Sequence, residues 1–167
     1  MSYKIKKVAV LGSGVMGSGI ACHLANVGID VLMLDIVPKN LEKGKSRNMV
    51  ADESLSRVVK SKPNPIYNKE FLKRIKTGNF DDDFEKISSA DWIIEVVVEN
   101  LEIKKQIFEK VEKYKSKDSF VSSNTSSIPI NLLCEGRSKD FKKNFCGTHF
   151  FNPARYMRLL EIIPQTE

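Results

Sequence analysis

Three glycines in the run Val8-Ala9-Val10-Leu11-Gly12-Ser13-Gly14-Val15-Met16-Gly17, followed by Asp35 at the end of a second apolar run, constrain this chain more than any other feature. Gly12 suits a tight strand-to-helix turn, Gly14 lets the backbone approach a pyrophosphate, and Gly17 lets the new helix pack close to its strand. The free N–H groups and positive dipole end of that helix then face the phosphates, with no lysine required. A glycine turn alone is a weak signal; here an apolar strand over 8–11 precedes it and a helix-length segment through Asn26 follows. Gly28 ends that helix, and Val31-Leu32-Met33-Leu34 reads as a buried strand running into Asp35. Asp35 would accept hydrogen bonds from the adenine ribose hydroxyls. Its charge would repel a 2′-phosphate, and Ile36 offers no arginine to hold one, so the pattern predicts NAD rather than NADP. The expected contacts along the turn are Gly12, Gly14, Val15, Met16 and Gly17.

At 167 residues, 41% hydrophobic and 29% charged, the chain is expected to form one domain, 1–167, around a single core. No apolar stretch is long enough to span a membrane, and the run after Lys7 is too short for a signal-peptide core, so the expected location is cytoplasmic with no membrane partner. Cys22, Cys134 and Cys146 are odd in number and form no C-x-x-C pair, which predicts reduced, buried thiols and no metal site. The net charge of +6 comes from lysines spread among acids without an aromatic-basic module, so no nucleic-acid partner is expected. Lys60 and Lys62 form a cluster that would draw a substrate carrying several phosphates; a solvated surface is the alternative.

Alternating strand and helix signals predict an α/β chain: a Rossmann-type, doubly wound, mostly parallel sheet with a helix-turn-helix arm inserted after the second strand. The arm covers about 39–74, with a long helix over 39–61, a stop at Lys62-Pro63-Asn64-Pro65, and a short helix capped by Asn68. Beyond it the pattern predicts a strand over 75–77, an acidic helical turn over 81–88 and a doubly covered strand over 92–98. Glu95 interrupts that strand and needs a partner if buried. A helix over 102–113 with Ile103, Ile107, Phe108 and Val111 on one side follows, then a strand over 119–122 and a short helix over 129–134. A strand over 145–149 and an apolar run over 159–163 complete the series.

Polar groups gather where strands end, at Glu99-Asn100-Leu101, Ser123-Asn124-Thr125-Ser126-Ser127 and Gly147-Thr148-His149-Phe150-Phe151-Asn152-Pro153. In an open α/β sheet those ends line the ligand crevice. His149 can accept a proton near neutral pH, and a carboxylate on its second nitrogen would fix the tautomer and stabilise the imidazolium. Glu161 could supply it, since a glutamate inside an apolar strand is costly unless paired. The alternatives are a strand-end histidine satisfied by backbone and an outward-facing glutamate. His23, on the first helix, reads as structural.

The glycine turn with its continuation Ser18-Gly19-Ile20-Ala21, Glu95-Val96-Val97-Val98-Glu99-Asn100-Leu101, Ser123-Asn124-Thr125-Ser126-Ser127 and Thr148-His149-Phe150-Phe151-Asn152-Pro153 closely resemble the NAD-binding domain of L-3-hydroxyacyl-CoA dehydrogenases. Asn-Pro-Ala-Arg-Tyr after the histidine looks most like bacterial fatty-acid oxidation enzymes in which the dehydrogenase leads a longer chain. The resemblance implies oxidation of a 3-hydroxyacyl-CoA in β-oxidation: His149 removes the 3-hydroxyl proton while hydride moves to the nicotinamide, and Glu161 orients His149. It implies that Ser126 hydrogen-bonds the substrate oxygen, that Asn124 and Asn152 lie near the nicotinamide, and that Glu99 and Lys104 are cofactor-contacting. It implies that the arm touches CoA, with Ser54 on a contact position and Ser61, flanked by Lys60 and Lys62, where the family carries a lysine. It further implies that the family's all-helical C-terminal domain is absent here, that this fragment turns over weakly or not at all, and that the full-length enzyme is a homodimer. Two other readings stand beside it: a non-catalytic NAD-binding or structural relative, and a dehydrogenase of another small hydroxy acid.

Overall fold

Alternation along the first strand, β1 (Lys7–Leu11), sends Val8 and Val10 to one face of a sheet and Ala9 and Leu11 to the other, and all four are buried. A strand apolar on both sides must be covered on both sides. The computed structural model describes residues 4–165, so Met1 and Glu167, the expected limits of the domain, lie outside the described residues. Within them β1 leads into α1 (Val15–Asn26), and Gly28, at φ +89°, turns the chain into β2 (Asp30–Asp35). After the arm come β3 (Ile75–Asn79), β4 (Trp92–Glu95) and α3 (Leu101–Tyr114). Helix α3 starts where the Asn100 side chain accepts a hydrogen bond from Ile103 N at 3.1 Å. β5 (Phe120–Ser123) and β6 (Phe145–Phe150) complete the parallel set, and β7 (Leu160–Pro164) closes the edge.

The sheet order is β3-β2-β1-β4-β5-β6-β7, parallel throughout except that β7 runs antiparallel to β6. The chain winds outward from β1 in one direction and then in the other, so a crevice opens at the carboxyl ends of β1 and β4. One face of the sheet packs Leu11, Ile93 and Val121 against Ile107, Phe108 and Val111 of α3; the other packs Val10, Met33 and Ile94 against Ile20, Ala21 and Leu24 of α1. The expected doubly wound α/β class is the observed one.

The arm differs in detail from its sequence pattern. Only α2 (Met49–Val59) is helical; 37–48, which holds Pro38, Gly44 at φ +89° and Asn48, is irregular, and Lys69–Arg74 is a 3₁₀ turn capped by Asn68. Side-chain bonds supply what helical hydrogen bonds would have: Arg47 Nε donates to Asp82 at 2.6 Å, and Asn79 Nδ2 donates to Asn48 Oδ1 at 2.6 Å. Ala51 is fully buried, with Leu55, Val58 and Val59 packed into the α1 layer, so α2 lies down on the domain. Strand β4 is shorter than the apolar run because the Glu95 carboxylate accepts Val97 N–H at 2.7 Å and bends the chain away. Ile103, expected on the covered side of α3, is 41% exposed. Between the short helix α4 (Ile130–Leu133) and β6, Lys139–Lys143 forms a further helix, α5, that the sequence pattern did not single out.

A Cβ at Gly17 would lie 1.9 Å from the Gly12 carbonyl oxygen, whereas one at Gly19 would meet nothing within 4 Å. Gly17→Ala is therefore expected to cost about 1–3 kcal/mol, lowering the melting temperature by several degrees, while Gly19→Ala holds or raises it through helix propensity. Thermal denaturation of the two variants checks this, and equal melting would refute the close helix-strand approach.

Candidate functional site

The opening turn places backbone where side chains cannot go. Gly12, at φ +108°, passes so near β4 that a Cβ there would sit 2.6 Å from Val96 O, while a Cβ at Gly14 would meet nothing. That open space lies at the start of α1, whose first turn carries no side-chain cap and no acid, leaving its N–H groups available to an anion. Ser13, fully buried between the glycines, donates both its N–H and its hydroxyl to Asp35 Oδ2, each at 2.6 Å, and Ile36 N donates to Oδ1 at 2.7 Å. The carboxylate is thereby fixed at the lip of the crevice with acceptor capacity to spare. A half-buried lip acid, an uncapped helix start and a cradle open at Gly14 fit the ribose and diphosphate of a dinucleotide.

A second group of charges stands at the end of β4. Glu95 is 0% and Lys104 1% exposed, and their Oε1 and Nζ are 2.7 Å apart. The same ammonium reaches Glu99 Oε2 at 3.2 Å and the Val97 carbonyl at 3.4 Å. Lys104 borders the crevice, yet these partners make it a support for Glu99 rather than a group free to donate to a ligand. Burial pushes the Glu95 carboxyl upward against the opposing pull of Lys104 and of the donors Ser123 Oγ and Val97 N. At Glu99 burial acts upward too, but the Thr125 hydroxyl, the Lys104 charge and the Ser127 hydroxyl outweigh it and bring the carboxyl down to about 2. Glu99 Oε1 also accepts Ser126 N and Ser127 N, both at 3.1 Å, so one carboxylate organises the loop 125–127.

Those supports leave reactive groups around a cleft of about 910 Å³ lined by Gly12, Gly14, Asp35, Asn124, Ser126 and His149 among others. Val15, Met16, Glu99, Lys104 and Asn152 border it as well. Asn124 Oδ1 accepts Phe150 N at 2.8 Å, which ties the end of β5 to the end of β6. No group among the described residues bonds the Ser126 hydroxyl. His149 stands opposite Glu161 in the β6–β7 register, its Nδ1 2.8 Å from Glu161 Oε2. A carboxylate at Nδ1 keeps the proton there and leaves Nε2 as the acceptor. The acid is not buried: β7 is an exposed edge strand and the Glu161 side chain is 47% exposed, so pairing with His149 rather than an apolar surrounding sets its position.

The positions expected to meet CoA separate. Ser54 and Lys62 line a smaller cavity of about 320 Å³, while Lys60 is exposed and outside it. His23 stays on α1, its pKa lowered by burial and its Nδ1 without a partner among the described residues. Burial likewise pushes the Cys22 thiol up to about 12 and Cys146 to about 11. Sequence reasoning missed Ser13, Ser123, Thr125 and Ser127 as the donors that hold the three functional carboxylates. Their signal was compositional only, small hydroxyls beside strand ends, and their targets follow from which strands adjoin.

Glu99 is depressed on folding, so its contribution to stability is present above the ordinary value of 4.5 and is lost as pH falls toward about 2. Glu99→Gln lacks that contribution at every pH. Its melting temperature is therefore expected to fall less steeply than that of the wild type on acidification below about 4.5; parallel curves would contradict the loop-anchoring role.

Comparison with known proteins agrees with this geometry. Residues 7–167 match the family described as 3-hydroxyacyl-CoA dehydrogenase, NAD binding domain. A probable 3-hydroxyacyl-CoA dehydrogenase of Bacillus subtilis is 53% identical over 100% of this chain and 23% of its own length. A putative fatty acid oxidation complex trifunctional enzyme of Rickettsia felis is 44% identical over 98% of this chain and 22% of its own. The chain thus spans under a quarter of the length of these two curated relatives. Among solved structures, the dehydrogenase part of a multifunctional enzyme from C. elegans superposes with a TM-score of 0.75 at 28% identity, over 97% of this chain and 35% of that one. NAD is the cofactor of the matched domain, and the open cradle at Gly14 and the Asp35 carboxylate steadied by Ser13 are compatible with it. The chain belongs to the 3-hydroxyacyl-CoA dehydrogenase family and forms its NAD-binding domain.

Proposed function

We propose that this domain serves the oxidation of a 3-hydroxyacyl-CoA to the 3-oxoacyl-CoA, as in fatty-acid β-oxidation. The observation that carries the reading is the His149–Glu161 pair, 2.8 Å apart, opening into the same cleft as the glycine turn. Nε2 of His149 takes the proton of the substrate hydroxyl, and Glu161 holds the ring and balances the charge the ring acquires. The Ser126 hydroxyl, bonded by no group among the described residues and carried on the loop that Glu99 fixes, donates to the substrate oxygen. Asn124 and Asn152 bracket the reacting end of the cleft. NAD, when bound, supplies the hydride acceptor.

On this reading residues 1–167 are one domain of a longer, homodimeric enzyme, with the arm over about 39–74 carrying the CoA contacts. The printed names of the two relatives support the substrate class, and their greater length supports further domains. Three buried free thiols support a reducing, cytoplasmic setting. No helix among the described residues is long and apolar enough to cross a membrane. The fragment alone is expected to bind NAD with slow turnover.

Single-turnover oxidation of NADH by acetoacetyl-CoA tests the base. His149→Gln is expected to slow it by roughly 10²–10⁴-fold with NAD affinity unchanged. An unaltered rate in the variant would remove His149 from the chemistry and favour a nucleotide-binding role without catalysis.

A further inference from the structure

The exposed edge strand β7 holds the imidazole of His149 at one point only. Nδ1 meets Glu161 Oε2 at 2.8 Å, but the Glu161 side chain is 47% exposed and that of His149 22%. A bond to a half-exposed carboxylate is weakened by water, and it leaves the ring free to turn about its side-chain torsions unless a second contact stops it. Phe151 makes that contact. Its ring meets the imidazole edge to face, with centroids 4.5 Å apart and planes at 60°, a favoured arrangement for two aromatic rings.

Alternation at the end of β6 sends residues 148 and 150 to one face of the sheet and 149 and 151 to the other. The first pair is anchored. Thr148 Oγ1 donates to Ser122 Oγ at 2.7 Å, and the same oxygen accepts Trp92 Nε1 at 2.9 Å, a chain that crosses β4, β5 and β6. Phe150 is buried, stacks on Trp92 with centroids 6.4 Å apart, and gives its N–H to Asn124 Oδ1 at 2.8 Å. With both inward residues held, the strand end cannot slip or roll, and it presents His149 and Phe151 together to the cleft that both line. Phe151 is only partly buried and belongs to neither of the two apolar clusters that hold the domain together. Its packing serves the imidazole rather than the core.

We propose that Phe151 is a positioning residue for His149: its ring blocks the rotation that Glu161 permits and keeps Nε2 aimed into the cleft. This rests on the reading of His149 as the base. A base works only within hydrogen-bond reach of the proton it takes, and a misplacement of about 1 Å can cost on the order of a hundredfold in rate. A bond at Nδ1 and a ring packed against the imidazole together leave it one orientation, where either alone leaves several.

A double-mutant cycle in the single-turnover oxidation of NADH by acetoacetyl-CoA tests the assignment. Phe151→Ala is expected to slow the step about ten- to a hundredfold while calorimetric NAD affinity stays within about twofold. Phe151→Tyr, which keeps the ring, should recover most of the rate. In a His149→Gln background Phe151→Ala should have almost no effect, because no base is left to misalign. A second measurement needs no turnover. The chain holds two histidines, so the imidazole of residue 149 can be followed by NMR, and its side-chain couplings should report one rotamer in the wild type and averaging in Phe151→Ala. Equal slowing in both backgrounds, or a loss of NAD affinity, makes Phe151 a wall for substrate or cofactor and overturns the proposal. An imidazole as ordered in Phe151→Ala as in the wild type overturns it too. A full rate in Phe151→Ala beside a slow His149→Gln overturns it while leaving the base reading intact. If His149→Gln reacts at the wild-type rate, the base reading falls first and this inference with it.

Discussion

One buried ammonium, Lys104 Nζ, stands between two glutamates and ties two strand ends and the start of a helix into a single frame. Glu95 is the last residue of β4, Glu99 lies in the turn before α3, and Lys104 sits one turn into that helix. Removing charges from water costs several kcal/mol per ion, which such a pair recovers only when the remaining lone pairs are satisfied. They are satisfied here: Ser123 Oγ and Val97 N bond Glu95, and the hydroxyls and amides of 125–127 bond Glu99. An uncompensated Glu95 would be expected to disturb the β4 end, the start of α3 and the β5 loop together, because one network serves all three. Geometry at a reacting centre tolerates little displacement, and a shared charged frame limits it.

Topology determines what that frame holds. β1 and β4 are neighbours although the arm, β2 and β3 separate them in sequence, so the Gly12 turn meets Val96 and lies beside the Glu95 network. At the other end the antiparallel return of β7 puts Glu161 directly across from His149. Side chains alternate along a strand, so a slip of one residue would point Glu161 to the opposite face and leave the imidazole without its carboxylate. The register rather than burial delivers this pair, which is why an exposed edge strand can carry it.

Features governed by local chemistry were legible in the sequence. The glycine turn, its helix and Asp35 were visible because positive φ, close approach and strand-helix periodicity leave fixed residue types at fixed spacing. His149 and Glu161 were legible as candidates, though Glu161 was expected in an apolar setting that the edge strand does not provide. The arm was less readable. Scattered apolar residues over 39–61 matched a helical period, but Pro38, Gly44, the Arg47 bonds to the turn after β3 and the Asn48 bond to the last residue of β3 hold 37–48 out of a helix, and those bonds connect residues more than thirty positions apart. Similarly, Trp92 to Val98 reads as one apolar strand, and only the Glu95 to Val97 bond explains why it stops after four residues. Long-range partners decided the arm, and a bond between residues only two apart decided the end of the strand.

The two cavities meet at Gly14, Val15 and Asn152, and that junction constrains any substrate more than either cavity does alone. On one side the imidazole and the Ser126 hydroxyl face a cleft whose walls include apolar Val96, Val97 and Phe151; on the other lie three cations, Arg57, Lys62 and Arg155, the last over the rings of Tyr67 and Tyr156. A small hydroxy acid would occupy the first cavity and leave the second uncompensated. On the acyl-CoA reading, a ligand with a reactive carbon at one end and phosphates at the other would span both, and its remote binding energy would help hold the hydroxyl against Nε2. The support differs on each side: strand ends locked by carboxylates around the cleft of His149, and a stacked guanidinium on a clamped turn beside the smaller cavity.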